Sequence, residues 1–257
     1  MDKLHIVKVG GNIIENKKNI QNFLLDFAKL RGYKILVHGG GKEASKISQK
    51  IGVPFQIING RRITDAANLD IITMVYAGKI NKNIVGQLQA IQCNALGLSG
   101  ADGNSILAKK RSPKPIDFGF VGDVTKVNIS FFKILIDQGI TPVCCAISHD
   151  GDGQLLNTNA DTIAASLAGS MAAEFEVTLS YCFEKNGVLE NIEDESSLIT
   201  KINLKTYKSM IKKGLIHSGM IPKIENCFNA LRKGVNQVRI GSPKIINEAV
   251  QYTKIEL

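Results

Sequence analysis

The sequence predicts an α/β protein in which a parallel sheet is covered by helices, and three observations carry that expectation. Short apolar runs rich in β-branched residues alternate with amphipathic stretches along the 257 residues, as strands do when they are joined by crossover helices. Two of these runs lead directly into glycine loops: Ile6-Val7-Lys8-Val9-Gly10-Gly11-Asn12 and Ile35-Leu36-Val37-His38-Gly39-Gly40-Gly41-Lys42. Each loop is followed by helix-like sequence, which makes strand–loop–helix the repeated unit. A chain of this length can bury a substantial core in one or two lobes.

In order, residues 4–9 read as a buried strand. Residues 17–31 read as a helix, with Phe23, Leu24, Phe27 and Leu30 at helical spacing. A strand at 34–37 and a helix at 42–51 follow, then two helices at 65–79 and 81–92. Ala95-Leu96-Gly97-Leu98 suggests another buried strand. The short polar pattern of 104–127, with Gly119 and Gly122, predicts a β-hairpin region. A helix at 128–138 ends at Gly139, and Thr141-Pro142-Val143-Cys144-Cys145 resembles a central strand. The segment from Leu155 opens a small-residue helix running to about 171. A strand from Glu176 to Leu179, a helix at 203–213, a strand at 235–240 and a terminal helix after 242 complete the pattern. The change near residue 173 marks two lobes, 1–173 and 174–257.

Composition removes several classes of function. No apolar stretch approaches the length of a membrane span, and the first strand begins too early to leave room for a signal peptide, so a cytoplasmic protein is expected. The five cysteines are odd in number and show no metal-binding spacing, as expected of reduced core thiols. A net charge of +9 comes from scattered lysines, and no nucleic-acid-binding motif accompanies them. A solvated lysine-rich surface is therefore expected, with small molecules rather than nucleic acid or membrane as partners.

The glycine loops are candidate anion sites. Glycine lets backbone N–H groups approach a ligand, and a helix starting there adds its positive dipole end. Lys8 stands just ahead of the first pair. Neither loop has the spacing of a P-loop or of a dinucleotide-binding turn. The acidic loop His149-Asp150-Gly151-Asp152-Gly153 lacks the later ligands of an EF-hand, which leaves a turn and no expected metal site.

Five ordered motifs together resemble the amino acid kinase family over essentially the whole chain. They are Lys8-Val9-Gly10-Gly11, Val37-His38-Gly39-Gly40-Gly41, Asn59-Gly60-Arg61-Arg62-Ile63-Thr64, Asn157-Thr158-Asn159-Ala160-Asp161 and Gly219-Met220-Ile221-Pro222-Lys223. The resemblance implies an open αβα sandwich with a mostly parallel central sheet. It also implies ATP-dependent phosphorylation of the γ-carboxylate of an N-acylated glutamate, with the acyl group acetyl or succinyl, in arginine biosynthesis. By this resemblance Lys8 and Lys223 stabilise the transition state, and Asp161 holds both lysines in position. Gly10, Gly11 and Gly40 offer amides to phosphoryl oxygens. Arg62 grips the α-carboxylate, Gly39 and Gly40 meet the side-chain carboxylate, and Asn157 bonds the acylated amino acid. Singly, these residues are equally a surface arginine, tight-turn glycines and a capping asparagine; the ordered set carries the functional meaning.

The resemblance further implies substrate binding and dimerisation in the N-terminal lobe, the dimer using helix 65–79, and ATP in the C-terminal lobe with Mg2+ held mainly by the phosphates. Ser180, Gly187, Leu215, Ile216 and His217 are the candidate nucleotide residues. The run Leu179-Ser180-Tyr181-Cys182-Phe183-Glu184-Lys185-Asn186-Gly187-Val188 departs from the family there, because it lacks the usual aspartate and is longer before Gly187. His38 is expected to be structural. A non-catalytic metabolite sensor of the same fold is the alternative from another functional class.

Overall fold

A computed structural model describes residues 1–58, 60–216 and 220–257. The chain forms two compact units, residues 1–34 with 164–257, and residues 35–163. Packing thus divides the chain at 34/35 and 163/164.

The walk from the N-terminus follows the expected alternation. Strand β1 (Lys3–Val9) leads through Gly10 into α1 (Gly11–Glu15), which is only five residues long. The longer helix α2 (Lys17–Ala28) starts afresh, because the Asn16 side chain accepts from the amides of Lys18 and Asn19. Strand β2 (Tyr33–His38) runs into the triple glycine and α3 (Gly41–Ile51), which Gly52 ends in a left-handed cap at φ +76°. A short hairpin, β3 (Ile57–Ile58) and β4 (Arg61–Arg62), precedes α4 (Ala66–Thr73), capped by Asp65.

The two helices expected at 65–79 and 81–92 are one continuous helical stretch, α4 running through a π-helical segment, Met74–Ile80, into α5 (Asn81–Ala90). Strands β5 (Ala95–Leu98), β6 (Ile106–Lys110) and β7 (Gly122–Val127) follow, the last two paired antiparallel as the hairpin region predicted. Helix α6 (Ile129–Asp137) leads to β8 (Thr141–Cys145), then β9 (Ile147–His149) and β10 (Leu155–Asn157). The small-residue helix is α7 (Ala160–Met171), so Leu155 to Asn157 form a strand rather than its first turn.

Beyond it come β11 (Glu176–Cys182), β12 (Lys201–Ile202), α8 (Leu204–Lys212), α9 (Ile221–Arg232) and β13 (Gln237–Gly241). The terminal helix expected after 242 is absent: Pro243–Asn247 makes a short 3₁₀ turn, Glu248 takes φ +56°, and the chain returns as strand β14 (Thr253–Ile255). A left-handed residue ends the helical turn, and Thr253 and Ile255 then alternate inward against β13.

In the first unit β1 pairs in parallel with β11 and β11 with β13, while β14 lies antiparallel to β13 and parallel to β12. In the second, β8 lies between β2 and β5, all parallel, and a second sheet has the order β10-β9-β6-β7. Sheets and helices bury near-continuous apolar runs: Leu4, Ile6, Phe23 and Phe27 in one unit, Ile35, Leu36, Phe132 and Val143 in the other. All five cysteines are buried free thiols, and none of the described helices is long and apolar enough to cross a membrane.

Leu36 is fully buried at the centre of its strand. Leu36→Ala is expected to cost about 2–5 kcal/mol through lost transfer energy and a residual cavity, read as a lowered melting temperature.

Candidate active site

Parallel strands place their C-terminal ends and the loops beyond them on one edge, where ligands of open α/β sheets bind. In the first unit, Lys8 is the penultimate residue of β1 and stands opposite Tyr181 of β11, with Val9 opposite Cys182. The Lys223 ammonium, from the first turn of α9, lies 5.0 Å from the centre of the Tyr181 ring. Burial pushes the Cys182 thiol up to about 12, and Arg239, Lys8 and Lys223 oppose that shift. Both lysines therefore act on the same strand end, although 215 positions separate them in sequence.

The loop beyond β1 is specific in its use of amides. The Gly10 N–H donates to the carbonyl of Cys182 at 2.9 Å, so that amide is engaged in holding the loop to β11. A β-carbon on Gly11 would meet nothing within 4 Å, which makes Gly11 the open position of the pair. Its amide is the first of α1 and lies outside the intrahelical ladder.

Gly187, Leu215 and Ile216 line an open, shallow pocket together with Phe183, Val188 and Met220, and Lys185 and Glu190 also border it. Walls that are mostly apolar suit the face of a flat aromatic group. Gly187 itself admits no side chain, because a β-carbon there would sit 2.5 Å from Thr253 Oγ1. Ser180 is placed differently: it is buried, and its hydroxyl accepts from Arg239 Nε at 2.8 Å. His217 lies outside the described residues, as do Asn59 and Gly219 of the motifs.

In the second unit the substrate candidates converge. The Arg62 guanidinium is buried and stacks on Phe55 at 4.4 Å. It donates to the Gly41 carbonyl at 3.1 Å, to Asn68 Oδ1 at 3.4 Å and to Ser45 Oγ. All of these partners are neutral. Burial lowers the arginine's pKa, yet the group stays cationic. A desolvated cation whose partners among the described residues are neutral is complementary to a carboxylate. Asn157 donates to Thr64 Oγ1 at 3.0 Å, and Thr64 in turn donates to the Arg62 carbonyl at 3.2 Å, so the two candidates share one hydroxyl bridge.

The triple glycine supplies the amides. Gly39 and Gly40 join β2 to α3, an eleven-residue helix whose first-turn N–H groups have no intrahelical acceptor. His38, immediately before them, is fully buried and bonded through both ring nitrogens, to the Gly39 carbonyl at 2.9 Å and to Asn81 Nδ2 at 3.0 Å. Its expected structural role follows. Asp161 stands in the first turn of α7, where Asn159 caps the helix by accepting from the amides of Asp161 and Thr162. The capping asparagine is thus Asn159 and not Asn157.

The candidates therefore fall into two groups. Lys8, Gly10, Gly11, Ser180, Gly187, Leu215, Ile216 and Lys223 lie in the first unit, and Gly39, Gly40, Arg62, Asn157 and Asp161 in the second. Tyr181 and Met220 stand inside quoted motifs without an assigned role, and Phe55, Ser45 and Asn68 are not singled out in the sequence at all. Only Ser45, one helical turn after Gly41, had a spacing that pointed to it.

The amino acid kinase family model matches residues 3–242. An acetylglutamate kinase from Cytophaga hutchinsonii is 52% identical over 255 residues, covering 99% of this chain and 97% of that protein. Another from Phocaeicola vulgatus is 51% identical over 247 residues, 96% of each. Among solved structures, smu.665 from Streptococcus mutans superposes with a TM-score of 0.80 at 26% identity, covering 98% of both chains.

The buried His38 ring makes stability depend on pH. Its pKa is lowered from 6.5 to about 4 by burial, so between those values the unfolded chain binds more protons than the folded one. The stabilisation is present above pH 6.5 and is lost as pH falls towards 4, on the order of 3 kcal/mol in all. His38→Gln should flatten the decline in melting temperature between pH 7 and 4.5, measured by calorimetry beside the parent.

Proposed function

The chain belongs to the amino acid kinase family, and on that premise we propose that it transfers the γ-phosphoryl group of ATP to the γ-carboxylate of N-acetyl-L-glutamate. The products are N-acetylglutamyl 5-phosphate and ADP, a step of arginine biosynthesis. The observation that carries this reading is identity of about half over nearly the full length to acetylglutamate kinases. The geometry supports it through a buried arginine with neutral partners beside a loop rich in amides.

A glutamate side chain is already ionised at neutral pH, with an ordinary pKa near 4.3. A carboxylate oxygen attacks the γ-phosphorus, the bond from that phosphorus to the β–γ bridging oxygen breaks, and ADP leaves with the electron pair. No proton has to be removed, so no general base is needed. The work is alignment and neutralisation of charge on the transferring group. We assign Lys8 and Lys223 to the phosphoryl oxygens and Asp161 to orienting the lysines. Gly11 and Gly40 supply amides, Gly10 anchors its loop, and Arg62 and Asn157 hold the acylated amino acid. The pocket beside Gly187, Leu215 and Ile216 takes the adenine, while Ser180 is buried on its strand and bonded to Arg239.

Ammonium and amide donors fit phosphate oxygens rather than a metal, so Mg2+ belongs with the nucleotide. When bound, it neutralises charge on the β- and γ-phosphates. A cytoplasmic homodimer is part of the same reading, with the helix around the exposed Met74 as its contact.

ADP release by the purified protein with Mg-ATP, in the presence of hydroxylamine, tests the proposal on N-acetylglutamate, N-succinylglutamate and glutamate. Turnover with the acetyl compound and a hydroxamate product are expected. Nucleotide binding without turnover on any of the three would overturn it in favour of a sensor. Arg62→Ala is expected to raise the KM for the acylglutamate about 10- to 100-fold, the worth of a charge-assisted hydrogen bond. Lys8→Ala should lower kcat about 10²- to 10³-fold with the fold intact, as loss of a transition-state donor does; wild-type kcat in that variant would remove Lys8 from the site.

A further inference from the structure

The loop at 38–41 does not hold itself. Gly40 comes so close to the π-helical segment that a β-carbon on it would lie 2.8 Å from Tyr76 Cδ1 and closer still to Ile80 Cδ1. One residue further along, Asn81 turns its amide into the core. Its Nδ2 group donates both hydrogens, to His38 Nε2 at 3.0 Å and to the Val143 carbonyl at 2.9 Å. The second bond fixes the orientation of the amide, because a flipped oxygen would face the carbonyl.

With Nε2 accepting, the ring of a neutral histidine must carry its proton on Nδ1. That proton is donated to the Gly39 carbonyl at 2.9 Å. The chain of bonds therefore runs from the β8 carbonyl through Asn81 and His38 to the glycine loop. Every member is buried or nearly so, where an unmade bond is costly. Space for the amide comes from Gly97 in β5: a β-carbon there would sit 2.9 Å from Asn81 Cγ and closer still to its Oδ1. The π-helical segment has its own part in this. The Asn81 backbone N–H donates to the carbonyls of Gly78 and of Tyr76, five residues back, and the segment so formed sets Tyr76, Ile80 and Asn81 against the loop.

We propose that Asn81 is a positioning residue for phosphoryl transfer: through the His38 tautomer it fixes the Gly39 peptide, and so aims the amides of the glycine loop at the reacting carboxylate. This rests on the assignment of that loop to the substrate made above. Gly97 and the π-helical segment are the parts of the fold that admit and seat the Asn81 side chain.

The test compares the full-length wild type with Asn81→Ser, Gly97→Ala and the double variant. A positioning role predicts a kcat/KM for the acylglutamate at least tenfold lower in Asn81→Ser, with the KM for ATP within twofold of wild type. Gly97→Ala should reproduce that loss by displacing the amide. The double variant should be no worse than Asn81→Ser alone, since the severe overlap is with Oδ1, an atom that serine lacks. Loss of stability with both kinetic constants of the folded fraction unchanged would overturn the proposal. So would additive losses in the double variant.

Nitrogen-15 spectra of the histidine ring and of the Gly39, Gly40 and Gly41 amides give a readout independent of turnover. Wild type should show His38 protonated at Nδ1, and Asn81→Ser should move both that pattern and the glycine amides. An Nε2-protonated ring in the wild type would refute the bond chain even if the kinetics conform. If the wild type turned over no acylglutamate, the assignment of the loop would fall by itself, and the spectra would still decide whether Asn81 sets it. Should Asn81→Ser fail to fold, Asn81→Asp keeps the shape while replacing the donor by an acceptor. It should then lose the Nδ1-only pattern, and retention of that pattern would count against the proposal.

Discussion

A loop of bare glycines, packed too closely for a side chain at its centre, is the constraint around which the candidate substrate site of the second unit is built. Gly40 leaves no room for a β-carbon, because Tyr76 and Ile80 fill the space it would occupy. Glycine alone would leave such a loop with many conformations to lose on folding. The packing behind Gly40, the helix begun at Gly41 and the bond to Gly39 remove that freedom before any ligand arrives. Preorganised donors act on developing charge without the cost of reorienting at the moment of reaction. Arg62 extends the same logic, since its partners hold the guanidinium in place without neutralising it.

The first unit solves a related problem with charge rather than geometry. Lys8 comes from a strand and Lys223 from a helix far along the chain, yet Cys182 senses both. The Gly10 amide pins its loop to β11, while Gly11 beside it stays open. Kinases that act on carboxylates can work this way because their nucleophile arrives already ionised.

Much of the architecture was legible in the sequence because it rests on short-range patterns. Apolar runs followed by glycine marked β1 and β2, and the hairpin β6–β7 was announced by polar alternation and glycines. The terminal helix after 242 failed because Pro243 begins a single turn, and the left-handed Glu248, a non-glycine residue, gives no sequence signal. The two expected helices at 65–79 and 81–92 gave no sign of being joined, since a π-helical segment changes hydrogen bonding without breaking periodicity. Among site residues, motif positions such as Arg62, Asn157 and Lys223 could be named, but their supports could not. Phe55, Asn68 and Asn81 are ordinary residue types whose roles arise from contacts across 7, 6 and 43 positions. The lysine pair and the Gly187 group were named through the family resemblance, whereas Tyr181 beneath Lys223 emerged only from the pairing of β1 with β11.

The central claim is that a carboxylate oxygen becomes bonded to the transferred phosphorus. N-acetylglutamate labelled with oxygen-18 in its γ-carboxylate tests this directly. The enzyme is run with Mg-ATP, the acyl phosphate is trapped with hydroxylamine, and the released phosphate is analysed by mass spectrometry. The account predicts one labelled oxygen in each phosphate, carried over from the carboxylate when hydroxylamine displaces it. Unlabelled phosphate would mean that water took the phosphoryl group, and would contradict the account.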